Sequence, residues 1–356
     1  MNLDFLRGKK ILLTGHTGFK GSWLSKILIM AGANVTGYAL LPDTKLSLYE
    51  ILSLKNHMNS VIADIRDYEK LYQTYKTVDP DFVYHLAAQP LVSKGYKSPR
   101  ETYEINIMGT VNLFECTRKL SSNGLSMVNV TTDKVYENKE WHRGYREKEI
   151  LNGFDPYSNS KSCSELVTNS YKKSFFLKNG VSVSTARAGN VIGGGDFSEN
   201  RIIPDCIRAV DNDKTIMVRK PNSIRPYQHV LEPLVAYLLI SKMQINEPHL
   251  TGAYNVGPEI YDCLQTKELV NKFCKIWGGN ASWKKTGKTD LNFHEAGFLK
   301  LDCSLIKEKF NWSPIWGIDE ALERTIHLSK LLCRGGNVKN EISTQIEEYL
   351  SQITHF

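Results

Sequence analysis

The fold is decided by the run Lys10-Ile11-Leu12-Leu13-Thr14-Gly15-His16-Thr17-Gly18-Phe19-Lys20-Gly21. Its apolar start predicts a parallel strand buried on both faces. After the glycines, residues 22–30 are long enough for a helix, which ends at Gly32. This order of strand, glycine turn and helix predicts a dinucleotide site, because the glycines let the backbone approach a diphosphate at the helix N-terminus. The expected contacts are Gly15, Thr17, Gly18, Phe19, Lys20 and Gly21.

The rest of the first half alternates in the same way. Further strands are predicted at 34–39, 60–64, 81–87, 126–132 and 181–187, with helices at about 105–119 and 157–176. This alternation predicts an α/β fold, a doubly wound parallel sheet with helices on both faces. Beyond residue 190 the pattern is irregular. We therefore expect a dinucleotide-binding domain over 1–190, with a segment near 228–256 returning to it, and a smaller C-terminal substrate-binding lobe over most of 191–356.

Composition narrows the class of protein. The chain has 356 residues, of which 41% are hydrophobic, and a net charge of +7. Neither a secretory leader nor an apolar run of the ~20 residues needed to cross a membrane is present, so a cytoplasmic protein without membrane contact is predicted. The positive charge forms no long tract, which argues against a nucleic-acid partner. The seven scattered cysteines contain no Cys-x-x-Cys pair, so no metal site is predicted.

A tyrosine and a lysine four residues apart form the first candidate for chemistry. Tyr157 and Lys161 share one face of the predicted helix, where the ammonium favours the phenolate and prepares the tyrosine for proton transfer at a hydroxyl. Tyr72 and Lys76 have the same spacing. Only Tyr157 follows the fifth strand and an Asp-Pro helix start, which favours it.

The segment Thr132-Asp133-Lys134 lies at the carboxyl end of the fifth strand, on the edge where ligands bind in such sheets. Thr132 is expected to hydrogen-bond the reacting hydroxyl. Asp133 and Lys134 are then candidates for a general acid and a general base.

Together these motifs resemble the nucleotide-sugar branch of the extended short-chain dehydrogenases/reductases, and most closely the CDP-glucose 4,6-dehydratases. The resemblance covers nearly the whole chain, and Lys134 is its most informative position, since the dTDP-glucose enzymes carry Glu there. Besides the glycine turn, it is carried by five segments: Ala87-Ala88-Gln89-Pro90-Leu91-Val92, Asn129–Asn138, Asp155–Lys161, Arg187–Asp196 and Ile224–Val230.

This resemblance implies a Rossmann-like fold and a lyase that uses NAD as a resident cofactor. Oxidation at C4 by Tyr157 and NAD would precede loss of water across C5 and C6, with Asp133 protonating the departing hydroxyl and hydride returning to C6. It also assigns cofactor contacts to Asp64, Ile65, Ala87, Ala88 and Gln89. The expected setting is deoxysugar biosynthesis for a lipopolysaccharide O-antigen.

Several alternatives stay open at this point. The second strand ends in Tyr38-Ala39-Leu40-Leu41-Pro42, which offers neither an acid for NAD nor an arginine for NADP. NAD is preferred because the cycle is redox-neutral. Lys134 is a base only when neutral, and it otherwise stabilises the enolate as a cation. A dehydratase for another nucleotide, a C4 epimerase and a non-catalytic dinucleotide-binding regulator are the competing functions.

The remaining predictions concern the substrate and the assembly. CDP-glucose is the expected substrate, and Arg225 is the preferred partner for its diphosphate, because a guanidinium pairs bidentately with phosphate. The other candidate substrate contacts are Asn190, Arg201, His229 and Asn255. The resemblance also implies a homodimer, or a tetramer of two dimers, formed through the helices at 105–119 and 157–176.

Overall fold

A single parallel sheet of seven strands forms the centre of the molecule. The computed structural model describes residues 1–121, 124–286 and 297–353. In the sheet, strand order is β10-β6-β5-β4-β1-β2-β3, and every neighbouring pair is parallel. Its strands are β1 Lys10–Thr14, β2 Asn34–Ala39, β3 Asn59–Ile62, β4 Phe82–His85, β5 Ser126–Val130, β6 Ser182–Ala188 and β10 Ala253–Val256.

Helices cover both faces of this sheet, which confirms the predicted doubly wound α/β fold. In the first half they are α1 Phe19–Met30, α2 Leu48–Ile51, α3 Tyr68–Val78, α4 Val92–Lys97, α5 Pro99–Tyr103, α6 Gly109–Leu120 and α7 Pro156–Tyr171. A π-helical turn, Glu104–Met108, precedes α6, and another, Lys172–Phe176, follows α7. Strands β4, β5 and β6 are buried along their whole length, as the apolar runs predict.

Four predicted boundaries need correction. Helix α1 begins at Phe19 rather than Ser22, so the last glycine of the turn lies inside the helix. Strands β3, β4 and β5 each end two residues earlier than expected. For β4 and β5 the reason is shared: residues 86–87 and 131–132 are apolar or β-branched like a strand, but they already belong to the loops of the ligand edge.

The chain returns to the sheet late in the sequence. Helix α9, Leu231–Asn246, packs against β5 and β6, and β10 then adds to the edge of β6. Two polar side chains fix the buried helix to the strands. Ser241 Oγ lies 2.6 Å from Tyr84 Oη, and Gln244 Nε2 donates to the Met127 carbonyl at 2.9 Å.

Most other elements of the second half form a lobe with its own apolar core, which includes Ile203, Tyr227, Phe273 and Leu322. Its strands form a sheet of β11-β9-β7 and a pair of β12 with β8. They are β7 Asn190–Ile192, β8 Ile216–Val218, β9 Ile224–His229, β11 Cys263–Gln265 and β12 Trp283–Lys285. The helices of the lobe are α8 Ile202–Asp211, α10 Thr266–Trp277 and α12 Ile318–Arg334. Two further helices, α11 Ser304–Phe310 and α13 Val338–Ser351, bury their apolar side chains in the main core instead. Among the described helices, none is both long enough and apolar enough to cross a bilayer.

Candidate active site

The glycine turn between β1 and α1 leaves no room for other residues at two of its three glycines. Gly15 has a φ of +78°, and a Cβ there would lie 2.7 Å from the Ala87 nitrogen. A Cβ on Gly21 would lie 2.0 Å from the Gly15 carbonyl oxygen. At Gly18, by contrast, the nearest atom to such a Cβ is 3.5 Å away. The turn is therefore folded tightly at Gly15 and Gly21 and open at Gly18.

That opening faces the start of α1. Gly18 is the N-cap residue, and no side chain caps the helix. The first N–H groups of α1 and the positive end of its dipole are thus available to an anion. A dinucleotide diphosphate fits this cradle.

Two neighbours hold the turn in place. Thr17 Oγ1 donates to the Leu40 carbonyl at 2.8 Å. His16, which the sequence prediction passed over, is fully buried, and its Nε2 lies 2.7 Å from Ser60 Oγ. Burial lowers the pKa of His16 to about 4, so its ring is neutral. Its position depends on Gly37, where a Cβ would lie 2.2 Å from the imidazole.

The other predicted cofactor contacts lie around the neighbouring strand ends. The Asp64 carboxylate accepts hydrogen bonds from the backbone and side chain of Arg66, which lower the pKa of Asp64. Ile65 is buried against Gly109. Ala87 and Ala88 are partly buried in the loop after β4. The Gln89 side chain is engaged internally: its Nε2 donates to Thr102 Oγ1 at 3.0 Å, and its Oε1 accepts from the Leu91 nitrogen at 2.6 Å.

Helix α7 brings Tyr157 and Lys161 to the carboxyl edge of the sheet. Asp155 caps the helix by accepting from the Tyr157 and Ser158 nitrogens at 3.0 and 3.1 Å, and Pro156 occupies the first turn. Lys161 Nζ donates to the Val130 carbonyl at 3.0 Å. Burial lowers the pKa of Lys161 to about 8, against the opposing charge of Glu165.

The groups around Tyr157 shift its pKa in opposite directions. Burial raises the pKa of Tyr157, whereas the positive charge of Lys134 and a hydrogen bond with Thr132 lower it. The negative charge of Asp133 raises it further. The contact with Thr132 shows that the end of β5 and the start of α7 face the same space.

The Thr132-Asp133-Lys134 segment is a compact donor and acceptor group. Asp133 is fully buried, and its Oδ1 accepts from Thr132 Oγ1 at 3.0 Å and from Lys134 Nζ at 3.2 Å. Its Oδ2 has no hydrogen-bond partner among the described residues. Lys134 Nζ also donates to Asn190 Oδ1 at 3.4 Å. The structure thus brings Asn190 to the same cluster.

Two more cations lie near this cluster. Burial, with the charges of Arg201 and Lys161, lowers the pKa of Lys20 to about 7, and Asp133 opposes this shift. Lys20 Nζ donates to Tyr237 Oη at 3.4 Å. Arg201 is partly exposed and pairs with Asp196 at 3.1 Å. Lys20, predicted only from its place in the glycine turn, therefore also lies close to Asp133 and Lys161.

The other predicted substrate contacts are buried. Arg225 is 4% exposed, and its Nη1 donates to the Ile224 carbonyl at 2.8 Å. His229 is fully buried between the rings of Trp23 and Trp316, and burial lowers its pKa to about 3. The motif suggested a ligand contact, but the structure surrounds this imidazole with aromatic core.

Asn255 is also placed in the core rather than in the cluster around Tyr157. Its Oδ1 accepts from Tyr136 Oη at 2.6 Å, and its Nδ2 donates to the Tyr145 and Asp302 carbonyls at 2.7 and 3.0 Å. Both the oxygen and the nitrogen of the Asn255 side-chain amide are therefore hydrogen-bonded within the protein.

Sequence reasoning also missed a buried ion pair next to the candidate catalytic residues. Glu165 and Arg187 are 2.8 Å apart, and their side chains are 2% and 4% exposed. The available signal was the position of Glu165, four residues beyond Lys161 on the same helix face.

Known proteins resemble this chain over most of its length. A family model described as GDP-mannose 4,6 dehydratase matches residues 12–325. A CDP-glucose 4,6-dehydratase of Salmonella typhimurium is 44% identical over 99% of this chain and 99% of that protein. This similarity confirms the resemblance drawn from the motifs.

Solved structures show the same fold. The dTDP-glucose 4,6-dehydratase of Bacillus anthracis in complex with NAD superposes with a TM-score of 0.74 at 21% identity, covering 89% of this chain and 95% of that one. The UDP-glucuronic acid 4-epimerase of Bacillus cereus, with UDP-glucuronic acid and NAD, has a TM-score of 0.77 at 21% identity, covering 90% and 99%.

Proposed function

We propose that this chain, which belongs to the GDP-mannose 4,6 dehydratase family, is an NAD-dependent CDP-glucose 4,6-dehydratase. It converts CDP-glucose to CDP-4-keto-6-deoxyglucose and is a hydro-lyase. The observation that carries this proposal is the cluster in which the buried Asp133 and the partly exposed Lys134 lie close to Tyr157. The whole-chain similarity to the Salmonella typhimurium CDP-glucose 4,6-dehydratase supports the choice of nucleotide sugar.

NAD is the proposed cofactor, and when bound it accepts hydride from C4 and returns it at C6. The open cradle at Gly18 and the uncapped start of α1 would hold its diphosphate. Gly15, Thr17, Phe19, Lys20 and Gly21 would complete that loop. Asp64 and Ile65 would contact the adenosine end, and Ala87, Ala88 and Gln89 would line the strand edge between the two ends.

In the first step, Tyr157 accepts the C4 hydroxyl proton. Thr132 orients that hydroxyl, and the positive charges of Lys134 and Arg201 favour the phenolate. Lys161, one helical turn further along α7, is the proposed proton-transfer partner of Tyr157. The resulting ketone acidifies the C5 proton.

In the second step, Asp133 protonates the departing C6 hydroxyl while the C5 proton is removed. Asp133 suits this role because its Oδ2 is buried and unpartnered among the described residues. Lys134 acts on the C5 side, either as the base that takes the C5 proton or as the cation that stabilises the enolate while water takes that proton. When hydride would reach C6, the same group returns the proton to C5. Lys134 Nζ lies 3.2 Å from Asp133 Oδ1 and 3.4 Å from Asn190 Oδ1, which places it beside the proposed acid.

Asn190, Arg201 and Arg225 are the proposed substrate contacts. Asn190 already bonds Lys134 and so lies where a sugar hydroxyl would be held. Arg201 and Arg225 supply guanidinium groups for the diphosphate. For His229 and Asn255, their internal contacts support a role in shaping the wall of the site.

A homodimer through α6 and α7, or a tetramer of two such dimers, is the proposed assembly. Apolar side chains of this region are exposed, notably Met108, Leu166 and Phe175 at 50%, 56% and 39%. Leu166→Glu should give a monomer by analytical ultracentrifugation, whereas Met217→Glu, at an exposed position of β8, should not. A dimer that survives Leu166→Glu would exclude this interface.

We further propose a cytoplasmic location and a role in deoxysugar biosynthesis for a lipopolysaccharide O-antigen. These follow from the activity, because such an enzyme uses a soluble nucleotide sugar and produces a deoxysugar precursor.

The deciding experiment is an NMR assay of the protein with NAD⁺ and CDP-glucose, beside UDP-glucose and dTDP-glucose. A 4-keto, 6-methyl sugar formed from CDP-glucose alone is the expected result. A C4 epimer would mean that Asp133 is not an elimination acid. Binding of NAD⁺ with all three sugars unchanged would favour a non-catalytic dinucleotide-binding protein.

A further inference from the structure

The catalytic face of α7 continues beyond Lys161 to a buried acid that the mechanism does not use. The Glu165 carboxylate accepts hydrogen bonds from Thr131 Oγ1 at 2.5 Å, from Thr185 Oγ1 at 2.7 Å and from Arg187 Nη2 at 2.8 Å. One side chain therefore joins α7 to the end of β5 and to β6. Such a fully paired buried carboxylate holds its neighbours firmly, because breaking any bond leaves a charge in the core.

The hydrogen-bonded network encloses the acid–base segment from both sides. Thr131 immediately precedes Thr132. On the far side, Arg187 Nη1 donates to Tyr136 Oη at 2.9 Å, and Tyr136 follows Lys134 by two residues. Residues 132–134 are thus anchored at both ends to the Glu165–Arg187 pair.

The same acid acts on the charge of Lys161. Burial disfavours the ammonium, and Glu165 is the group that opposes this effect. The other titratable groups facing Lys161 are Lys20 from α1, which is cationic when protonated, and His85 from β4, whose pKa burial lowers to about 3. Without Glu165, Lys161 would face a second lysine and a neutral imidazole, with Arg187 left uncompensated behind it.

We propose that Glu165 and Arg187 are a positioning pair that sets the protonation of Lys161 and the placement of Thr132 and Asp133. Glu165 keeps Lys161 protonated, and Arg187 limits the strength of that effect. The proposal rests on the proposed function, since it takes Tyr157 and Lys161 as the proton-transfer pair.

The pair makes opposite predictions for its two members. If Lys161 must be protonated, activity should fall at alkaline pH as Lys161 loses its proton. Glu165→Gln should move this alkaline limb to lower pH by about 1 unit, the effect of a lost neighbouring charge. Arg187→Gln should move it to higher pH, because the acid then acts undiminished. The measurement is the rate of reduced-cofactor absorbance in a single turnover with NAD⁺ and CDP-glucose, over a pH series.

Two variants separate positioning from simple structural support. Thr185→Val removes a hydrogen bond to Glu165 without removing a charge, so it should leave the limb in place. Glu165→Asp keeps the negative charge that Glu165→Gln removes, so its alkaline limb should lie at the wild-type position. Shifts of Glu165→Gln and Arg187→Gln in the same direction, or no shift in either, would overturn the proposal. If Glu165→Gln does not fold, Arg187→Gln alone tests the proposal. An alkaline limb that moves to lower pH in Arg187→Gln, or does not move, would then overturn it.

A readout without turnover distinguishes this proposal from the proposed function. Competitive acetylation of the cofactor-free protein over a pH series, followed by mass spectrometry, gives the pKa of Lys161 in each variant. The same opposite shifts are expected there. If the wild type forms no reduced cofactor but these shifts appear, the proposed function fails and the electrostatic role of the pair stands. If the labelling shifts are absent, the proposal about the pair fails.

Discussion

Asp133 and Lys134 are adjacent in the chain, yet their surroundings differ. The Asp133 side chain is 1% exposed, whereas that of Lys134 is 29% exposed. A buried acid beside a partly hydrated cation suits a step in which a proton is given to a leaving hydroxyl as negative charge develops next to it.

Lys134→Met should stop the reaction after oxidation at C4. We expect reduced-cofactor absorbance to appear and elimination to slow by about 100-fold or more, since no amine or ammonium acts on the C5 side. Lys134→Arg is the matched variant, because it keeps the charge but is not a base. Elimination retained in Lys134→Arg would identify an electrostatic role, and normal turnover in Lys134→Met would exclude both roles.

Replacement by alanine should affect stability differently at two glycines of the turn, Gly21 and Gly18. Gly21→Ala should destabilise the fold by about 3 kcal/mol, because its Cβ would overlap the Gly15 carbonyl. Gly18→Ala has room and should cost less than about 1 kcal/mol, but its methyl group would lie in the diphosphate cradle and weaken NAD binding. Urea unfolding and NAD titration measure the two effects. Equal stability losses would contradict the geometry.

At the scale of elements, the sequence predicted those features that depend only on residues close together in the chain. The Asp-Pro start of α7 was readable because a cap and a fixed φ act within one turn. The ends of strands were harder to predict. Residues 131–132 have a strand-like sequence, and only the folded structure shows that they belong to a loop. The burial of His229 was not readable at all, because its aromatic neighbours Trp23 and Trp316 are distant in sequence.

The cap of α7 connects stability with activity. Asp155→Ala should destabilise the protein by about 1–2 kcal/mol, the usual cost of losing an N-cap. It should also lower kcat more than it raises KM for NAD, because Tyr157 lies in the first turn that the cap orders. Asp155→Asn, which keeps an acceptor oxygen, should restore most of both. Thermal unfolding and steady-state kinetics provide the check, and an unchanged melting temperature in Asp155→Ala would refute this role.

At the scale of the whole molecule, a buried acid links elements that are far apart in sequence. Glu232, on α9, accepts from the Trp316 nitrogen at 2.8 Å and from Tyr349 Oη of α13 at 2.5 Å. Nothing in the sequence indicated this contact, because loop 311–317 and α13 come some eighty residues or more later in the chain.

This acid should make stability depend on pH. Burial raises the pKa of Glu232 from its usual 4.5 to about 7, against hydrogen bonds that lower it. The folded state therefore favours the protonated form. The stabilisation is complete below pH 4.5 and is lost as pH rises to about 7, by about 3 kcal/mol in total.

Glu232→Gln cannot ionise and should remove this dependence. Urea unfolding between pH 5 and 8 should show the wild type losing stability relative to the variant as pH rises. Parallel curves for the two proteins would show that Glu232 has an ordinary pKa in the folded state.

The late return of the chain to the sheet has a consequence during synthesis. Strand β6 leaves the ribosome long before β10, so until Val256 emerges its outer edge offers unpaired backbone groups to any passing strand. The lobe residues between the two strands must be made in the meantime. A nascent chain halted near residue 190 would thus contain Tyr157, Lys161 and most of the sheet, yet remain open to aggregation. The strands that form most of the ligand edge are thus synthesised before β10, the last strand added to the sheet that supports them.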